Sequence, residues 1–441
     1  MRSEILSPCV ALIVTVAAAA AQSADYQTPG QHPSLLLTPA RLRLLKRERE
    51  RQSPRWRQFE SLIAGKAAMP ERAFADALYF QVSGDQEAAR RGIAWVLGEG
   101  ADLRQLSLVF DWCQSALSEQ ESAALAARLE QALARPASAG VEEARSRAFA
   151  AIALAGTAPA VSERELRRIV EVWWGRTVVP SLAAGDDVLP RTSHYALFEL
   201  LHAVRDNLGI DLRESARQYF SQLPAVELLS YYPAPYQAPE NEYRVPASAG
   251  GEFDLHAAES ARAADFAMAA YDTTSLGYQY LQGWLLHDLF SMHGPFGAPY
   301  EFLWANPYQP GLSYYHAPMV IHASVLGQLF IRSSWDDDAR WAGFFGGKLQ
   351  IFSDGKLQSI DLASPKLLDF DHALVAVAGN APSIAIEDAA NLIFLVGLKP
   401  LGRYALGGET GEHRADRGGI IELMFKNRGF SGTIRPRLLQ R

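Results

Sequence analysis

Residues 329–361 read LFIRSSWDDDARWAGFFGGKLQIFSDGKLQSID, and this stretch marks where the chain changes character. LFIRSSW, RWAGFF, KLQIF and KLQSI are short apolar runs with the β-branched and aromatic content of strands. Ser353-Asp354-Gly355 stands between the last two, and Asp-Gly between such runs is a strong hairpin signal. Downstream, ALVAVAG, NLIFLVG and GIIELMF recur between Gly, Asn and charged segments and suit further strands. Residues 329–441 are therefore expected to form an antiparallel β-sheet domain.

Upstream the period is helical, from about residue 38 to 294. Thr38-Pro39 and Ser53-Pro54 each pair an N-cap with proline at the first helical position. Trp56, Phe59, Leu62 and Ile63 form one apolar stripe; Leu103, Leu106, Phe110, Cys113 and Leu117 form another. Gly84 suits a helix C-terminus, and Ser118 with Glu121 and Ser162 with Glu165 read as capping boxes. Short linkers between unequal helices make successive pairs antiparallel. The fold class expected is α+β multidomain, with an incomplete α/α toroid over residues 22–294. A solenoid is the competing arrangement. Residues 295–328, rich in Gly, Pro and aromatics, read as a junction.

The first 21 residues have the parts of a signal peptide: Arg2, an apolar run Val10–Ala21, and small residues at Ala19 and Ala21. The run is too short to span a bilayer, which takes roughly 20 residues. The expected location is secreted or periplasmic. Cleavage would remove Cys9 and leave Cys113 alone, so the fold must rest on its core rather than on a disulfide. A net charge of −7 argues against a nucleic-acid partner. Phosphate-binding loops, dinucleotide fingerprints and G-x-S-x-G elbows are missing, so no cofactor is expected.

Several residues invite chemistry. Trp304, Tyr308, Tyr314 and Tyr315 could offer a sugar-stacking surface, with Asn306 and Glu301 bonding hydroxyls; the plainer reading is a plug at the junction. Asp336-Asp337-Asp338 falls between strand-like runs and reads as a solvated turn rather than a calcium loop. His287, Asp288 and His293 match no zinc spacing, so no metal is expected. His194 opens a stripe with Phe198 and Leu201, where a satisfied, half-buried histidine is the ordinary outcome. Tyr243 lies in a polar, proline-bounded loop, with Tyr231, Tyr232 and Tyr236 as rivals.

HPSLLLTPARLRLLKRERE (32–50), FDWCQSALSEQE (110–121), RTSHYALFELL (191–201) and FIRSSWDDDARWAGF (330–344) together resemble, in order, segments of the heparinase II/III-like polysaccharide lyases. The resemblance implies a toroid followed by antiparallel sheets, and β-elimination on an acidic, uronate-containing polysaccharide. That chemistry neutralises the uronate carboxylate, removes the C5 proton and protonates the leaving oxygen. It implies His194 for the carboxylate and Tyr243, in the segment Glu240–Arg244, for proton transfer. Arg191, Asn241 and Arg244 would contact substrate. The family's β-domain histidine has no counterpart in residues 346–364, and His372 is the nearby substitute. A non-catalytic glycan-binding protein is the alternative. A third reading is a hydrolase with paired carboxylates among Asp186, Asp187, Glu240 and Glu242.

Overall fold

Local capping sets several of the helix starts. The computed structural model describes residues 26–439 except 99–101, 239–240, 249, 251–253, 289, 291, 293, 380–382, 408–410 and 426–428. The expected signal peptide, Cys9, Glu240 and His293 lie outside the described residues. Thr38 and Ser53 accept backbone bonds at the starts of α1 (Pro39–Glu50) and α2 (Pro54–Ala64). Left-handed Gly84 ends α3 (Arg72–Ser83), and Asp85 caps α4 (Gln86–Leu97). Then come α5 (Leu103–Trp112) and α6 (Glu119–Ala134), which the Ser118–Glu121 capping box opens. They are followed by α7 (Val141–Ala153) and α8 (Pro159–Arg167).

The Ser162–Glu165 box does not form. Pro159 starts α8 three residues earlier, leaving Ser162 buried inside the helix. Glu165 instead holds Arg147 at 2.6 Å and Arg168 at 2.7 Å. A π-wound turn, Arg168–Val178, leads into α9 (Val179–Ala184). The helical part continues with α10 (His194–Leu208) and α11 (Arg217–Leu229), then a small hairpin of β1 (Tyr236–Ala238) and β2 (Asn241–Tyr243). It closes with α12 (Leu255–Tyr271), α13 (Leu276–His287) and α14 (Gly297–Trp304). Helix α14 packs on α12 and also on α2, so the last helix touches the second.

The first sheet has the order β3 (Val320–Ala323), β4 (Gln328–Arg332), β5 (Trp341–Phe345), β6 (Lys348–Ser353), β7 (Lys356–Ile360), all antiparallel. Asp354 and Gly355, with φ of 50° and 70°, make the predicted tight turn. Period-two alternation gives this sheet two buried faces. Phe330, Trp341, Phe345 and Phe352 join the helical core, while Leu329, Ile331, Phe344 and Leu349 face away from it.

That second face meets another sheet, made of β8 (Lys366–Asp369), β9 (Leu374–Val377), β11 (Leu392–Val396) and β14 (Ile421–Met424). A third sheet of β10 (Ile384–Ala390), β12 (Arg403–Gly407), β13 (Glu412–Arg414) and β15 (Phe430–Leu438) packs on its far side. Helices therefore lie N-terminal and sheets C-terminal, as four stacked layers. The sheets are antiparallel apart from one pair, β9 with β11. Each fully buried Leu, Ile or Phe in these seams is worth about 1.5–3 kcal/mol, so apolar packing holds the layers.

The 295–328 junction is not a separate segment. It supplies α14 to the helices and β3 to the first sheet. Its aromatic residues concealed both periods, because Pro and Gly interrupt them. Polar pins cross the seam between helices and first sheet: Trp341 Nε1 donates to Leu229 O at 2.8 Å. Arg417 reaches from the loop before β14 to the carbonyls of Leu182 (2.9 Å), Ala183 (2.7 Å) and Val325 (2.8 Å). Left-handed Gly185 makes room for it, since a Cβ there would collide with the Arg417 side chain. No described helix is long and apolar enough to cross a membrane.

Candidate functional site

Strand alternation that sends Phe330 into the helical core sends Arg332 the same way. Arg332 is 4% exposed, and its Nε donates to Ser334 O at 3.2 Å. Among the described residues no carboxylate lies within ion-pair distance of its guanidinium. Its charge lies over the Trp335 ring, 4.8 Å from the centroid. Burial, then repulsion from Arg244, pulls its pKa down to about 10 against the opposing pull of Asp337.

Arg332 and Trp335 line a pocket of about 180 Å³ at the seam, with Tyr231, Tyr232 and Trp284 on the helical side. Arg244, His287, Asp288 and Tyr314 complete it. Trp335 is itself buried, and its Nε1 donor has no acceptor among the described residues. Arg244 differs from Arg332 because it is neutralised. Its Nε meets Asp288 at 2.8 Å and one terminal nitrogen meets Asp337 at 3.0 Å. Burial opposes that charge, but the two carboxylates outweigh it and raise the pKa.

Tyr314 stacks on Tyr315 with centroids 4.6 Å apart, meets Trp335 edge-on at 5.3 Å and lies 6.1 Å from the His287 ring. Burial and the hydrogen bond shared with Tyr315 push its hydroxyl up to about 12, so it keeps its proton at neutral pH. Buried polar groups in folded proteins nearly always have partners. An unneutralised guanidinium beside an orphan indole N–H is thus suited to an oxyanion, best a planar carboxylate.

Only Arg244 and Tyr314 of the expected site residues line this pocket. His194 is 4% exposed, and both ring nitrogens are engaged inside the protein. Nδ1 pairs with Glu227 at 2.7 Å, and Nε2 lies 3.1 Å from Leu189 O and 3.3 Å from Tyr219 Oη. It is the satisfied core histidine of the plainer reading. Arg191 pairs with the same Glu227 at 2.7 Å and lines a different hollow with Thr192 and His256. Tyr243 ends β2 and Arg244 lies just past it; the Tyr243 ring packs on Phe290 with centroids 5.2 Å apart and does not line the pocket. Asn241 sits at the start of β2, where its side chain accepts from Glu242 N at 3.0 Å.

The aromatic set divides. Trp304 is 2% exposed, tilted on His202 at 4.6 Å, and donates to Tyr195 Oη at 3.1 Å. It belongs to the core and not to a sugar surface. Tyr308 is exposed on the helical exterior beside Arg51, and Asn306 accepts from its amide at 3.1 Å. His372 is exposed in the turn between β8 and β9, and His322 is held between Asp416 and Glu422. Neither lines the pocket. Asp288 is the one carboxylate among the described lining residues, and Asp186, Asp187 and Glu242 do not line the pocket.

No protein-family model matches the chain, and no curated protein does. The site must speak through its own chemistry. The sequence does not single out Arg332, Trp335 or Trp284, and it offers His287 and Asp288 only as candidate metal ligands. A signal for Arg332 was present, since Leu329 and Ile331 alternate with Phe330 and Arg332.

Proposed function

We propose that this chain is an exported carbohydrate-active protein that cleaves an acidic, uronate-containing polysaccharide by β-elimination at the Arg332 pocket. The observation that carries the reading is the buried guanidinium of Arg332 without a carboxylate partner. A uronate carboxylate on Arg332, with Trp335 Nε1 donating beside it, loses negative charge and makes the C5 proton more acidic. His287 takes that proton, the C4–O4 bond breaks as the C4–C5 double bond forms, and Tyr314 protonates O4. The contact of α14 with α2 supports the incomplete α/α toroid as the helical arrangement.

The test is incubation with alginate, hyaluronan, chondroitin and polygalacturonate, read by unsaturated-uronate absorbance. Product from one polymer, lost in Tyr314→Phe, is the expected outcome. No absorbance with any of them counts against the lyase. A second reading, glycan binding without cleavage, is favoured by one observation. No histidine of the sheets is among the residues lining the pocket. It predicts binding that depends on Arg332 with no product.

A further inference from the structure

We infer that the pocket receives the end of an acidic glycan chain, with its terminal uronate on Arg332 and the next unit across the Tyr314–Tyr315 pair. The inference rests on the acidic-glycan reading above and adds which part of the polymer is held.

Three features point to an end rather than an interior segment. The first is size. A volume of about 180 Å³ falls below the roughly 300–1,000 Å³ usual for ligand sites, which suits one sugar ring. The second is closure. Tyr231, Tyr232 and Trp284 are each under a tenth exposed and form the inner wall. Arg244 braces one flank by joining Asp288, just past α13, to Asp337 in the turn after β4. A polymer threading through would need a second opening where these residues stand.

The third feature is direction. Arg332 lies over Trp335, Trp335 meets Tyr314 edge-on, and Tyr314 stacks on Tyr315. Exposure rises along this line from 4% at Arg332 to 58% at Tyr315. The charge sits at the inner end and a flat, solvent-facing ring at the outer end. Pyranose faces are apolar and match such rings, while the ring hydroxyl remains available to sugar hydroxyls. The arrangement fits a ligand of at least two units, with the carboxylated one innermost.

The experiment uses the full chain carrying Tyr314→Phe, which keeps the aromatic ring and cannot protonate the leaving oxygen, and isothermal titration with oligomers of each uronan in the panel above. Monomer, trimer and chains of about thirty units are compared. One protein bound per chain is expected whatever the length, with the trimer roughly ten-fold tighter than the monomer, the size of one stacking contact. Tyr315→Ala should remove the trimer's advantage and leave monomer binding intact; Tyr315→Trp should keep both. Protein bound in proportion to chain length would overturn the chain-end inference. If Arg332→Met still abolished that binding, the acidic-glycan reading would survive. An Arg332→Met variant that binds every uronan as the parent does would sink both.

Discussion

Replacing Arg332 by methionine should make the protein more stable while abolishing glycan binding. The fall in pKa from 12.5 to about 10 expresses how much the fold disfavours this charge. At about 1.4 kcal/mol per pH unit, keeping it buried costs on the order of 3 kcal/mol. Methionine fills a similar volume over Trp335 and loses the bond to Ser334 O, worth about 1 kcal/mol. The net gain is about 2 kcal/mol. For folding units of 150–250 residues roughly 2–4 °C accompanies each kcal/mol, so Tm should rise by several degrees. Differential scanning fluorimetry at pH 7 on parent and variant measures it, with the uronan titration run in parallel. A Tm that falls by several degrees would show that Arg332 is compensated within the fold. The argument that its charge is kept for a ligand would then collapse.

Other sites give sharper structural contrasts. Glu199 is fully buried and holds Arg104 at 2.6 Å and Arg145 at 2.7 Å, so Glu199→Gln should cost about 3–5 kcal/mol in urea denaturation. A loss below 1 kcal/mol would mean that Glu71 alone suffices for Arg104. His322 lies 2.7 Å from Glu422 and 2.9 Å from Asp416, and despite burial these carboxylates raise its pKa above 6.5. Its stabilisation is therefore complete below about pH 6.5 and fades as pH rises through the higher folded value. His322→Gln should flatten the Tm–pH curve across that window, and an unchanged slope would rule the clamp out. Trp304→Ala should lose about 3–5 kcal/mol from the core without altering the affinity for uronans of whatever protein remains folded.

Features that depend on adjacent residues were legible in the sequence. Thr38, Ser53, Gly84 and the Ser118–Glu121 box act through the backbone beside them, and Asp354-Gly355 carries its own turn geometry. The Ser162–Glu165 pattern misled because Pro159 offered an earlier start to the same helix. Position in space was harder to read. Trp304, open to reading as a sugar-stacking ring or as a plug at the junction, is buried against His202, 102 positions earlier in the sequence. His194 and Tyr243 stood in suggestive segments, but helix phase turns one toward Glu227 and the other packs on Phe290. Strand parity brought Arg332 in beside Phe330, and only the fold shows that among the described residues no carboxylate came with it.

The pins across the seam carry a kinetic consequence. Arg417 ties α9 to the sheets at one place, and Arg244 ties the end of α13 to the turn after β4 at another. These two ties oppose hinging of helices against sheet, Arg417 through three backbone carbonyls and Arg244 through one buried and one exposed carboxylate. Entry and departure fall to the stretch between α14 and β3, which bears Tyr314 and Tyr315. On the reading proposed above, a proline that stiffens this stretch should lengthen the residence time of a bound uronan, read by displacement kinetics, without touching Arg332.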